Sequence, residues 1–66
     1  MAEFYIVFRH KLMRWRFEDV LVKAQDAKHA VVKAAGKLNN PDDWEVDQVW
    51  KVALKCVYDS RGGWLG

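Results

Sequence analysis

Cysteine, proline and glycine are scarce in this 66-residue chain: one, one and four residues. The single cysteine, Cys56, excludes a disulfide within the chain, so no covalent staple supports the fold. His10, His29 and Cys56 stand far apart in sequence, with no pair at metal-ligand spacing. No apolar run approaches the roughly 20 residues of a membrane span. The apolar run Phe4–Phe8 is too short for the core of a signal segment and has no basic stretch before it. These absences predict no cofactor, no metal and no membrane contact. With one free cysteine and a plain initiator Met1, they also predict a reducing, cytoplasmic setting.

The motifs of catalysis are missing too. No glycine-rich phosphate loop follows a strand, because Gly62-Gly63 comes at the far end. Cys56 lies in an apolar run without a neighbouring base and reads as a small packed hydrophobe. His10 sits among cations that favour its neutral form, and His29 falls on the solvent side of a helical pattern. Asp59-Ser60-Arg61 reads as a turn. The expectation is that the chain is not an enzyme. Net charge is only +2, so no global excess of cations points to nucleic acid either.

Aromatic residues, by contrast, are abundant. Trp15, Trp44, Trp50 and Trp64 are four indoles in a chain with little interior. Each carries an N–H that needs a partner, which favours half-buried positions at rims and interfaces. Surplus aromatic surface points to a macromolecular partner. A single domain spanning residues 1–66 is also near the lower size limit for one core, and oligomerisation is the remedy left once disulfides and metals are excluded. A homodimer is therefore expected.

Residues 3–9 are aromatic and β-branched, as in a strand, with Phe4, Ile6 and Phe8 on one face. Residues 17–24 read as a second strand with Val20, Val22 and Ala24 inward. Trp15 and Phe17 have the opposite parity, which predicts either a bulge near Glu18–Asp19 or a strand that begins after it. Ala27, Ala30, Val31, Ala34, Ala35 and Leu38 make a helical stripe behind Asp26 as N-cap, predicting a helix over 27–38. Asn39-Asn40-Pro41 ends it.

The last third fits two periods. With period two, Trp44, Val46, Gln48, Trp50, Val52, Leu54, Cys56 and Tyr58 share a face. With period 3.6, Val46, Val49, Trp50, Ala53, Leu54 and Val57 share one, behind a helix start at Asn40-Pro41-Asp42-Asp43. Trp50 is core in both. A hairpin needs a third strand, so a strand over 44–52 followed by a break, a bend or a short further element is the expectation. The tail 60–66 reads as frayed unless Trp64 and Leu65 dock. The fold class is thus α+β, an antiparallel sheet with one packed helix in the order β-β-α-β.

The run Val22-Lys-Ala-Gln-Asp-Ala-Lys-His-Ala-Val-Val-Lys-Ala34, followed by Trp44-Glu-Val-Asp-Gln-Val49, resembles small ββαβ accessory proteins of phages and prophages. Those proteins end a strand in Val-x-Ala, open a helix on an acidic cap and return with a strand around Glu-Val. The resemblance covers about residues 17–52. It implies a compact accessory protein, in some cases an inhibitor of a host or defence enzyme, and it carries no functional residue over.

The charges are segregated. Arg9, Lys11, Arg14 and Arg16 lie within eight residues, interleaved with Met13 and Trp15, whereas Asp42, Asp43, Glu45 and Asp47 lie within six. The basic segment has three readings. It is a solvated loop balancing the acidic block within one chain or across a dimer, a hot spot for another protein, or a grip for phosphates with Trp15 stacking on a base. Mimicry of nucleic acid by the acidic block is disfavoured by its four carboxylates and the net basic charge. A small protein-interaction module follows, with Arg9, Lys11, Arg14, Trp15, Arg16 and Trp44 as the partner-binding residues. The alternative is a nucleic-acid-binding accessory protein using segment 9–16.

Overall fold

A computed structural model of the chain describes residues 2–52 and 55–64. Strand β1 covers Ala2–His10, β2 Phe17–Ala24, helix α1 Ala27–Ala35, β3 Trp44–Lys51, β4 Lys55–Asp59 and β5 Gly63–Trp64, with a 3-10 turn at Pro41–Asp43 before β3. All strand pairs are antiparallel, and the sheet order is β2-β1-β3-β4-β5. The fold is α+β, and its helix forms the connection between β2 and β3. The expected β-β-α-β order therefore gains β4 and β5. In the expected face over 44–58, β3 ends at Lys51 and β4 pairs back onto it. Leu54, which both periodic readings used, and Ala53, which the helical one used, lie outside the described residues, as do 1, 65 and 66.

The central strand β1 decides the core. Its alternation sends Phe4, Ile6 and Phe8 to one side, where they meet Val22 and Ala24 of β2, Val49 of β3, and Ala30 and Ala34 of α1. Small residues on the helix stripe let it lie close to the sheet. Asp26 caps the helix as expected, its Oδ1 accepting the His29 N–H at 2.9 Å. The helix closes earlier than its stripe, at Gly36, whose N–H donates to Val32 O at 3.2 Å. Lys37 and Leu38 then donate to Ala34 and Ala35, three residues back, so the last turn tightens and Leu38 still packs on the core.

Two sequence expectations fail, each for its own reason. Strand β2 carries no bulge: Phe17 pairs with Arg9 in an unbroken register and simply points to the sheet face away from the helix. The bulge falls in β3. Val7 pairs with Gln48 but Phe8 pairs with Val46, leaving Asp47 as the extra residue. Trp44 and Val46 therefore face the helix, while Gln48 and Trp50 face the other way. Trp50 is not core; fully buried Val49 takes that place. The bulge inverts the parity on which the period-two face depended. The tail is not wholly frayed either. With Gly63 at φ +78°, β5 adds to β4 and stacks Trp64 on Tyr58 at 4.8 Å between ring centroids, with Lys28 over the indole.

Candidate interaction surface

The loop between β1 and β2 is built on His10. Continuing the inward alternation of Phe4, Ile6 and Phe8, this residue is buried, and its Nδ1 accepts the N–H groups of Leu12 (3.2 Å) and Met13 (3.0 Å). An acceptor at Nδ1 places the ring proton on Nε2. The edge of the ring meets Trp44 at 5.0 Å between centroids. Backbone bonds finish the loop: His10 N–H to Arg16 O, Arg16 N–H to Met13 O and Lys11 N–H to Asp43 O, each 2.9 Å. A loop pinned this way holds its outer side chains up. Leu12 is 86% and Trp15 75% exposed.

The basic segment and the acidic block meet within the chain. Arg14 Nη1 donates to Glu45 Oε1 at 2.8 Å, and Arg9 Nη2 lies 3.5 Å from Asp47 Oδ1. That same carboxylate oxygen accepts the Ser60 hydroxyl at 2.9 Å. The Arg9 guanidinium also lies over the Phe17 ring, 5.1 Å from its centroid, and Arg16 lies over Trp44 at 5.5 Å. The antiparallel β1–β3 pairing is what brings the blocks together, since it sets Arg9 opposite Glu45. Of the six partner-binding candidates, then, Arg9, Arg14, Arg16 and Trp44 contact their own chain. Lys11 and Trp15 project from the loop, exposed. Arg16 and Trp44 also border a polar cleft of about 430 Å³, shared with Met13, Lys37 and Asn40.

A second surface escaped the sequence reading. The helix covers one face of the sheet only. On the other, Leu21, Tyr5, Trp50 and Cys56 stand side by side across β2, β1, β3 and β4. Phe17 and Val7 extend this apolar area. The signal that could have found it is the odd-numbered half of β1: Tyr5 and Val7 alternate with the core residues yet are not polar, as a solvated sheet face would require. Charged residues of the same face flank it, Glu3 and Lys23 at one end, Arg9 and Glu45 at the other, Asp19 and Asp59 at the sides. The Tyr5 hydroxyl donates to Asp19, and Trp50 Nε1 donates to Gln48 Oε1 at 3.1 Å. The bond to Asp19, then desolvation, then the carboxylate charge hold the Tyr5 phenol above its ordinary value of 10.0.

Among the described residues, no three His, Cys, Asp or Glu side chains gather closely enough to hold a metal ion, and no helix is long and apolar enough to cross a membrane. The Cys56 thiol donates to Tyr58 O at 3.3 Å. Compared with known proteins, the chain matches no family model, no curated protein and no solved structure.

Proposed function

We propose that this chain is a protein-interaction module that acts by surface binding, with the β1–β2 loop as its recognition element. One observation carries the reading: Leu12 and Trp15, a large aliphatic and a large aromatic side chain, are held out in solvent by a loop anchored on a buried histidine. A rigid loop loses little conformational entropy on binding, and a protruding Trp beside arginines is the composition of an interface hot spot. Lys11, Arg14 and Arg16 supply the polar rim around it. Trp44 backs the loop through the His10 ring, and Arg9 is engaged beside it with Asp47 and Phe17. The resemblance of residues 17–52 to phage accessory proteins makes a host or defence enzyme in the cytoplasm the partner class, modulated or inhibited by occlusion.

The nucleic-acid reading has less support. Arg9 and Arg14 are already paired with carboxylates, and Glu45 and Asp47 would face any phosphate that approached them. The test uses a photo-crosslinking residue at position 15 in the intact chain, in cells of the natural host. A single protein crosslinked there, and lost with Leu12→Asp, is the expected result. Crosslinks to nucleic acid, or to no protein at all, would overturn the reading.

A further inference from the structure

The edge of the sheet at β2 is a surface separate from the loop, and the strand there carries its own complement. We propose that β2 pairs, antiparallel and centred on Leu21, with β2 of a second copy of this chain, joining two five-stranded sheets into one. The proposal stands independently of the loop's partner.

Strand β2 ends the sheet order, with no strand beyond it. Its inner and outer positions follow from the ladder. His10 N–H donates to Arg16 O, so the even-numbered residues of β2 bond towards β1. The backbone N–H and C=O groups of Asp19, Leu21 and Lys23 therefore point outward. Among the described residues, the one bond to these groups is from Lys33 Nζ to Lys23 O, at 2.8 Å. Such an edge is a template for another strand unless proline, a bulge or brevity blunts it. Here it runs for eight residues in unbroken register and without proline. The far edge, by contrast, ends in the two-residue β5.

The charges name the occupant. A two-fold axis perpendicular to the sheet keeps each face beside its like, so residues of the same parity meet. Centred on Leu21, that axis sets Leu21, 55% exposed, beside its own copy and Val20 beside Val22. Asp19 then stands opposite Lys23 twice, once on either side of the axis. Neighbouring centres lose this match. Asp19 or Lys23 at the centre would face itself, Val20 would set Asp19 against Leu21, and Val22 would set Glu18 against Asp26. On the helix side, the Leu21 register brings Glu18 of the copy beside Ala24, next to the carbonyl that Lys33 reaches. Opposite charges thus meet on both faces.

The helix leaves room for the second strand. It packs on β2, β1 and β3, so its axis lies inward of the edge. With strands about 4.8 Å apart, the two helices run antiparallel at about 10 Å or more, no closer than packed helices ordinarily come.

The test follows the full chain by sedimentation and amide hydrogen exchange over a micromolar to millimolar range. A dimer is expected, and the amides of Asp19, Leu21 and Lys23 should exchange more slowly as it forms. The amides of Val20 and Val22, bonded to β1 in either state, are the reference. Lys23→Glu should weaken the dimer about tenfold by setting like charges opposite each other, and adding Asp19→Lys to it should restore the pairing. Circular dichroism of Lys23→Glu should match the wild type; if it does not, Asp19→Lys alone serves in its place, since it sets lysine opposite lysine. Trp15→Ala, which alters only the loop, should leave the dimer intact. Three outcomes would overturn the proposal: a wild-type monomer throughout, a dimer whose three outward amides exchange at rates independent of concentration, or a dimer indifferent to the charge reversals.

Discussion

Asp26 shows how much one side chain organises. Its Oδ1 accepts both the backbone N–H of His29 and a contact from His29 Nδ1, each at 2.9 Å. The backbone bond first, and the ring second, hold its carboxyl below the ordinary aspartate value of 3.8. A group whose folded value is depressed stabilises the fold above its unfolded value, and that contribution fades as pH falls through the folded one. Helix α1 should therefore lose support as the solution is acidified below about pH 4, and Asp26→Asn should remove that part of the acid dependence. Thermal midpoints at pH 7 and pH 3 measure it; an unchanged difference between the two midpoints in Asp26→Asn would rule out the cap as its source. This residue was legible in the sequence because capping is local, needing only an Asp before an alanine-rich stripe. The role of His10 was half legible. Its parity with Phe4, Ile6 and Phe8 marks it as inward, but that its ring would accept two amide protons depends on how the next residues turn.

At the scale of elements, the strands divide by what sets their facing. Strand β1 could be read directly, since one face of a regular strand follows from period two. Strand β3 could not. Its bulge at Asp47 comes from pairing with β1, about forty residues earlier, and it reverses Trp50 relative to Trp44. Deleting Asp47 removes the extra residue and should leave one continuous register in which Val49, Val46 and Trp44 all stay inward. Exposing Val46 and Trp44 would cost about 3 kcal/mol or more, a large part of the stability of a chain this size, and the deletion avoids that cost. Urea unfolding of the deletion variant should therefore show a smaller loss, that of the Asp47 contacts with Arg9 and Ser60. A loss of about 3 kcal/mol or more would mean that Trp44 and Val46 had turned outward. Phe17 teaches the same lesson from the other direction. Its parity is a fault in β2 only if every apolar residue points to one core.

For the molecule as a whole, the two charge blocks are a neutralising pair rather than a field. Arg14 and Glu45 are both well exposed, and exposed pairs contribute little. The stability of the intact chain should thus change by less than about 1 kcal/mol between 0.1 and 1 M sodium chloride, a range over which screening becomes nearly complete. Chemical denaturation with urea at the two ionic strengths decides it. A fall of several kcal/mol would show that the Arg9–Asp47 and Arg14–Glu45 contacts hold the sheet together. Of the candidate site, the sequence marked the basic segment and Trp15. It could not show that Arg9 and Arg14 lie against carboxylates of their own chain, because that depends on which strands become neighbours.

What the sequence determined by itself is everything with a short period: strand β1, the alanine stripe and its cap, the exposed basic loop, and the α+β class. These follow from contacts between residues a few positions apart. The tertiary structure alone decided which strand lies beside which, where the extra residue of β3 sits, and that a second apolar face stays uncovered. Each of those is set by pairing between distant segments, where a one-residue shift turns a side chain from one side of the sheet to the other.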